Sequence, residues 1–585
     1  MTEKRRMIPR PVHLRKIVPL VVLGVFLSGM GFGSTVSRSA QAASSLIPIR
    51  TTEPLSIEGQ SSLRAVIENA KLPEMRWPDF SDYRKDVASL YDACAGGLLW
   101  IDDKQPTWQA RAAVALLLKS DDEGLSADDY DGDRWTDRLS KLKPSLQYPK
   151  ESDAIEFDVA LTVSMLRYLS DLHIGKVNPQ HPDFEIRIGE REYSLPEFLK
   201  DQVAEGSDVA NIVSRVEPPY PMYRRTIYAL RTYMQLARQY PNEALPATET
   251  VVAPGNTYQG VPRLTRFLRL VGDLPPDAVV ATDTTIYQGA LVDAVKSFQR
   301  RHGLIPDGRI DADTLEALNV PLERRVRQMQ LTLERWRWLP SDYGHSAVVV
   351  NIPEFRLRAY DDQFHVAVTM NAVVGQAYGH HTPIFANKIR SVVFRPYWNV
   401  PPSIVRAEIL PALLGDPDYL EKQDMDILDS LGNVINSPNI TPEILQKIQS
   451  GALSIRQRPG PKNSLGLVKF LFPNEYDVYM HDTPSTELFS RSRRDFSHGC
   501  IRLEKPAELA AWVLRDNPDW TPARIRAAMD GDETQEVTLI SPIPVLIVYG
   551  TVVVLQDQIV HFYHDLYDLD ADLDRLLDKG YPYRD

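Results

Sequence analysis

Cysteine is almost absent from this sequence: Cys94 and Cys500 are the two thiols in 585 residues. Two cysteines cannot staple a chain of this length, so stability must rest on buried apolar surface, and both thiols are expected to be free. A basic surplus is also lacking. The net charge is −12, and residues 1–42 concentrate Lys4, Arg5, Arg6, Arg10, Arg15, Lys16 and Arg38 against Glu3 alone, which leaves the remainder more acidic still. That balance argues against nucleic acid as a partner, because no basic stripe remains to displace counterions. Long apolar runs are missing beyond the first 42 residues. The mature chain is therefore expected to be soluble.

What is present begins with a leader. A basic start, an apolar run from Ile17 to about Gly33 and Ala40-Gln41-Ala42 read as an export signal over 1–42, placing the product in the periplasm or cell envelope. The rival reading is a retained anchor, but Pro19, Gly24 and Gly29 interrupt a run barely long enough to span a bilayer. With 43% hydrophobic residues, the chain is long enough for several domains. A polar lead-in from Ser44 to Ile57 reads as a tether. A helical region follows over 60–250; Thr107 caps a run of good helix formers, and Leu161, Met165, Leu166 and Leu169 share one helical face. A smaller helical unit over 258–320 places Leu291, Ala294, Val295 and Phe298 on one face.

From residue 345 to 585 the period changes to short β-branched runs: Ala347–Val350, Val366–Val374, Ile389–Val400, Asp477–Met480 and Val537–Val560. Few helices intervene, which predicts a mixed or antiparallel sheet and a multidomain α+β protein. Residues 402–453 form a polar, helix-prone stretch without a strand signal, read as an insertion capping this domain. The acidic groups Asp128–Asp133 and Asp307–Asp311 miss calcium-loop spacing and read as solvated turns.

The chemistry concentrates in Ser497-His498-Gly499-Cys500-Ile501-Arg502. A cysteine attacks as thiolate and needs an electropositive setting and a base. His481, nineteen residues upstream, ends a predicted strand, and alternation puts Tyr479 on the same face. Gly499 permits close backbone approach, so its amide and that of Cys500 are candidate oxyanion donors. Arg493, Arg494, Asp495 and Arg502 favour an exposed edge over a packed thiol. Zinc is the other alternative, although His481, His498 and Cys500 lack a second cysteine, and no metal or other cofactor is expected. The residues alone support a Cys–His acyl transferase or hydrolase.

His481 together with Ser497–Arg502 resembles the signature of the YkuD-type L,D-transpeptidases, and the wider chain is similar to the large YcbB-like branch of that family. Tyr397-Trp398-Asn399-Val-Pro-Pro402, Arg458-Pro-Gly-Pro-Lys-Asn-Ser-Leu-Gly466 and Ser541-Pro-Ile-Pro-Val545 carry that likeness, with Gly124–Tyr130 resembling its scaffold domain. Ala294–Gly303 with Asp307–Thr314 resembles a peptidoglycan-binding module. The resemblance implies Cys500 as nucleophile, His481 as base and 3–3 cross-linking of peptidoglycan stem peptides in wall biogenesis and cell shape. It also implies wall-synthesis enzymes as partners and carbapenem-type β-lactams as inhibitors. Ser497 and His498 would hold the loop, Arg502 pair with a substrate carboxylate, Tyr479 line the oxyanion site, and Trp398 and Asn399 border the cleft. His380-His381 departs from the family pattern, which leaves substrate preference open there. L,D-carboxypeptidase or endopeptidase activity and a non-catalytic wall-binding role are the alternatives. Activity is expected to fall as pH drops through the pKa of a Cys500–His481 pair.

Overall fold

The computed structural model describes residues 54–95, 97–143, 150–179, 194–240, 243–281, 284–340, 346–435, 440–581 and 583. The export segment and most of the tether lie outside the described residues. Among the described residues no helix is long and apolar enough to cross a membrane.

The first core is helical. Its elements include α1 (Ile57–Asn69), α2 (Arg84–Ala93), α3 (Trp108–Leu117) and α4 (Glu151–Ile174). Thr107 caps α3 as its position predicts, accepting from the Ala110 amide at 3.1 Å. Helix α4 departs from expectation. Rather than one apolar face, every residue from Ala154 to Leu172 except Glu156 is buried, because neighbours surround the helix. Its polar side chains therefore need internal partners. Asp158 accepts from the Tyr91 hydroxyl at 2.7 Å and from the Leu99 and Trp100 amides at 3.0 and 2.7 Å. Burial nevertheless pushes its carboxyl up to about 6.

The acidic groups read as solvated turns are built into the structure. Asp129 pairs with Lys176 at 2.6 Å and Asp131 with Arg138 at 2.8 Å, all four side chains being buried. Asp311 caps a helix by accepting from the Thr314 amide at 2.9 Å. Turn residues became structural because their carboxylates satisfy amides and cations that burial would otherwise leave unpaired.

Helices α5 (Pro221–Gln239), α6 (Val261–Leu270), α7 (Ala290–Arg301), α8 (Ala312–Leu318) and α9 (Leu322–Arg337) share a second core. The expected face Leu291, Ala294, Val295 and Phe298 is buried in it.

A nine-stranded mixed sheet completes the α+β architecture. Its strands are β1 (Ala347–Asn351), β2 (Arg356–Tyr360), β3 (Val366–Gly375), β4 (Phe385–Phe394), β5 (Val468–Leu471), β6 (Met480–His481), β7 (Asp495–Ser497), β8 (Ile501–Leu503) and β9 (Gln535–Val548). The order is β7-β3-β8-β6-β5-β4-β9-β1-β2, and β2 also pairs with β3, so eight strands close into a ring. Pairs β6–β8, β7–β3 and β9–β1 are parallel and the others antiparallel. Leu357, Met370, Phe470, Met480 and Ile501 join its buried core, so the alternate residues of each strand form the opposite face.

The stretch 402–453 is not purely helical. It contains a strand, Met425–Leu428, which pairs with Ser454–Gln457, itself paired with Trp398–Asn399. Val400, Ile409, Leu413, Ile427 and Ile455 give it a small core of its own. The strand escapes notice because it is short and its partner lies outside the stretch.

Candidate active site

Cys500 sits in the turn from β7 to β8. Gly499 there has φ +113°, a conformation that a side chain would strain. Three bonds fix the turn. The Ser497 hydroxyl donates to the Cys500 carbonyl at 2.5 Å and accepts from the Gly499 amide at 3.2 Å, while Thr382 donates to the Gly499 carbonyl at 2.8 Å. The Gly499 amide is therefore turned toward the Ser497 oxygen in this structure. Among the described residues the Cys500 amide has no protein acceptor and stays available.

His481 is placed by sheet register. His481 pairs with Arg502 across the parallel β6–β8 pair and with Lys469 across the antiparallel β6–β5 pair. Paired residues share a face, so Lys469, His481 and Arg502 lie in one row across three strands. The Ile501 amide bonds the Tyr479 carbonyl at 3.1 Å, which brings Cys500 beside Tyr479. The Tyr479 and His481 ring centres are 5.7 Å apart, as strand alternation predicts.

His481 is buried, and its Nδ1 lies 2.5 Å from the Asp482 carbonyl. A carbonyl can only accept, so Nδ1 carries the proton and Nε2 keeps a lone pair. Burial, followed by the charges of Arg502 and Lys469, pushes the imidazole down to about 3. Asp482 is in turn held by the Leu467 and Thr483 amides at 2.8 and 2.7 Å. A Cβ on Gly466 would come within 2.4 Å of the Asp482 carboxyl carbon, which explains a glycine at φ +60° there.

The thiol has different neighbours from those expected. Its sulfur lies 3.9 Å from the Asp477 carbonyl, and Tyr479 is close enough to act on the thiol charge. Among the described residues no hydrogen bond joins Cys500 to His481. Burial raises the thiol above its ordinary value, opposed by Tyr479, Arg502 and Lys469. The resting pair is therefore neutral thiol and neutral imidazole. Such contacts commonly tighten only when substrate binds.

The remaining expected residues divide. Arg502 has no carboxylate partner within ion-pairing distance among the described residues, and its Nε is buried without an acceptor. His498 pairs through Nε2 with Glu408 of the capping insertion at 2.8 Å. Asn399 is exposed on the strand beside Arg456, with no side-chain bond to the thiol turn. His380 packs edge-on to His498 at 4.8 Å, and His381 stacks on Tyr567 at 4.1 Å. Sequence reasoning missed Lys469, Thr382 and Glu408. A lone cation in the apolar run Val468–Leu471 was a usable signal for the first; the other two had none.

Residues 345–554 match the profile of the L,D-transpeptidase catalytic domain. The chain carries this catalytic domain. Residues 85–230 match a profile described as "Scaffold domain", and 257–318 one described as "Putative peptidoglycan binding domain". A Haemophilus influenzae protein named "Putative L,D-transpeptidase" is 31% identical over 248 residues, 42% of this chain and 49% of that protein. The chain thus spans about half the length of that relative. Cys500, His481 and the residues that fix them all fall within the L,D-transpeptidase domain match.

Proposed function

We propose that this protein is an exported peptidoglycan L,D-transpeptidase that forms 3–3 cross-links through an acyl-enzyme on Cys500, working at the cell envelope. The observation that carries the reading is the tautomer of His481: Nδ1 is committed to the Asp482 carbonyl, leaving the Nε2 lone pair free on the sheet face that also carries Arg502. Substrate entry brings thiol and imidazole together, and Nε2 takes the thiol proton. The thiolate attacks the carbonyl of the third stem residue. The C–S bond forms, the bond to the terminal D-alanine breaks, and its amine leaves with the proton from His481. An acceptor amine then attacks the thioester and gives a proton to His481 Nε2; the C–S bond breaks as the new amide forms, and the leaving sulfur takes that proton back to restore the thiol.

The Cys500 amide and the Tyr479 hydroxyl are the donors nearest the reacting atoms, with Trp398 orienting Tyr479. Arg502, without a carboxylate of its own, takes one from the stem peptide. Ser497 and His498 position the turn. A carbapenem ring carbonyl acylates the same sulfur.

The test is a muropeptide assay on purified peptidoglycan with wild type and Cys500→Ala. The reading requires 3–3 linked dimers from the wild type alone. Release of D-alanine without dimers would instead establish a hydrolase.

A further inference from the structure

Two adjoining cavities, of about 980 and 590 Å³, lie where the 257–318 domain meets the catalytic sheet, and both are lined by Arg300, Glu354, Arg356 and Tyr563. One wall comes from the end of α7 and the turn after it. The other comes from β2, from Asn371 of β3 and from residues 489–494.

This junction is cationic in a chain of net charge −12. Arg300 is exposed, and its guanidinium has no ion pair or hydrogen bond among the described residues. Arg491 is exposed, lies 5.2 Å over the Phe496 ring and likewise has no acid partner among them. Arg225 gives its Nε to the Val554 carbonyl at 3.0 Å and has no carboxylate either. Arg356 is 3.7 Å from Glu354, but that carboxylate is already held by Arg358 and by the Tyr563 hydroxyl. The walls also hold Asp313, Glu316, Asp557 and Asp565. Asp565 is occupied by the Tyr549 hydroxyl and the Ala571 amide.

The cavity adjoins the thiol face. Arg356 pairs with Asn371 across β2–β3, and Val373, two residues on, pairs with Arg502 across β3–β8. Alternation puts Asn371 and Val373 on one face, so Arg356 lies on the same side of the sheet as Arg502 and His481. The turn Thr486–Ser490 joins both regions: Phe489 and Ser490 line the cavity, and Glu487 acts on the Arg502 charge.

We propose that this arginine-lined cleft binds the free carboxylates of peptidoglycan stem peptides, holding a wall strand between the 257–318 domain and the thiol face. The proposal rests on the transpeptidase reading for its ligand. Guanidinium forks match carboxylates bidentately, and cations without internal acids are free to do so.

The full chain is co-sedimented with purified sacculi at low and at raised NaCl, using intact sacculi and sacculi stripped of stem peptides by an amidase. Intact sacculi should retain the protein in a salt-sensitive way, and stripped sacculi at least tenfold less. Arg300→Glu with Arg491→Glu should lose at least tenfold in retention at unchanged Tm, with the two Gln substitutions intermediate. Equal retention on stripped sacculi, or charge reversal without effect, overturns the proposal. Cys500→Ala should be retained like wild type, so binding is read without turnover. Absence of cross-linking would then sink the transpeptidase reading while leaving the cleft to stand or fall on retention.

Discussion

The neutral resting pair makes a specific claim about how Cys500 reacts with a small electrophile. His481 is held down to about 3, so between pH 5 and 9 it stays neutral and has no charge to lose as pH rises, while burial raises the thiol. Below the thiol pKa the thiolate fraction rises tenfold per pH unit, equivalent to about 1.4 kcal/mol per unit. Alkylation by iodoacetamide should therefore climb by about 100-fold between pH 6 and 8, still rising at pH 9, with no step near 6.5. His481→Gln should leave that profile within about twofold, since no charge is lost, yet abolish cross-linking because no base remains. The assay is intact-mass spectrometry of timed alkylation with substrate absent. A plateau beginning below pH 7, or a profile that collapses in His481→Gln, would reveal a thiolate–imidazolium pair and refute the neutral-pair argument.

Three further outcomes follow from the same geometry. Lys469→Met should shift the alkylation profile to higher pH and slow modification several-fold at pH 8, because the cation helps to lower the thiol pKa, whereas Lys469→Arg should restore it. Gly466→Ala adds a Cβ against Asp482 at positive φ; it should cost about 1–3 kcal/mol, visible as a lower Tm, and reduce turnover by disturbing the His481 carbonyl partner. Buried His481 and His302 both have lowered pKa values, so their stabilising contribution is complete above pH 6.5 and is lost as pH falls toward their folded values. Tm should fall between pH 6.5 and 4.5, and His481→Gln should flatten that slope by roughly one proton, or about 1.4 kcal/mol per pH unit.

Features set by local period were readable from the chain. The Thr107 cap, the Leu291–Phe298 face and the Tyr479–His481 alternation each depend on residues within a few positions, so spacing alone reveals them. The buried surround of α4 was not readable, because what covers its polar positions comes from distant segments. Asp158 shows this: its partners Tyr91, Leu99 and Trp100 lie about 60 residues away in sequence. The Gly499 amide illustrates a subtler limit. Glycine at this position signalled close backbone approach, but which acceptor its amide would meet depended on the Ser497 rotamer.

The site is organised by cross-strand register, and register follows no local period. Glu536, Val393, Lys469, His481, Arg502 and Val373 form one continuous row over six strands. Each belongs to a different segment; the β6–β8 pairing is parallel, and the β4–β5 pairing spans the stretch 402–453. A one-residue slip at β6, a strand of only two residues, would turn His481 toward the core and Met480 outward. What prevents that slip is apolar: Met480 is buried between Phe470 and Ile501, its register partners on either side. Position 480 therefore sets where the His481 ring points. That is why the His481 motif is legible as chemistry while its orientation becomes evident only once the sheet has closed around Met480.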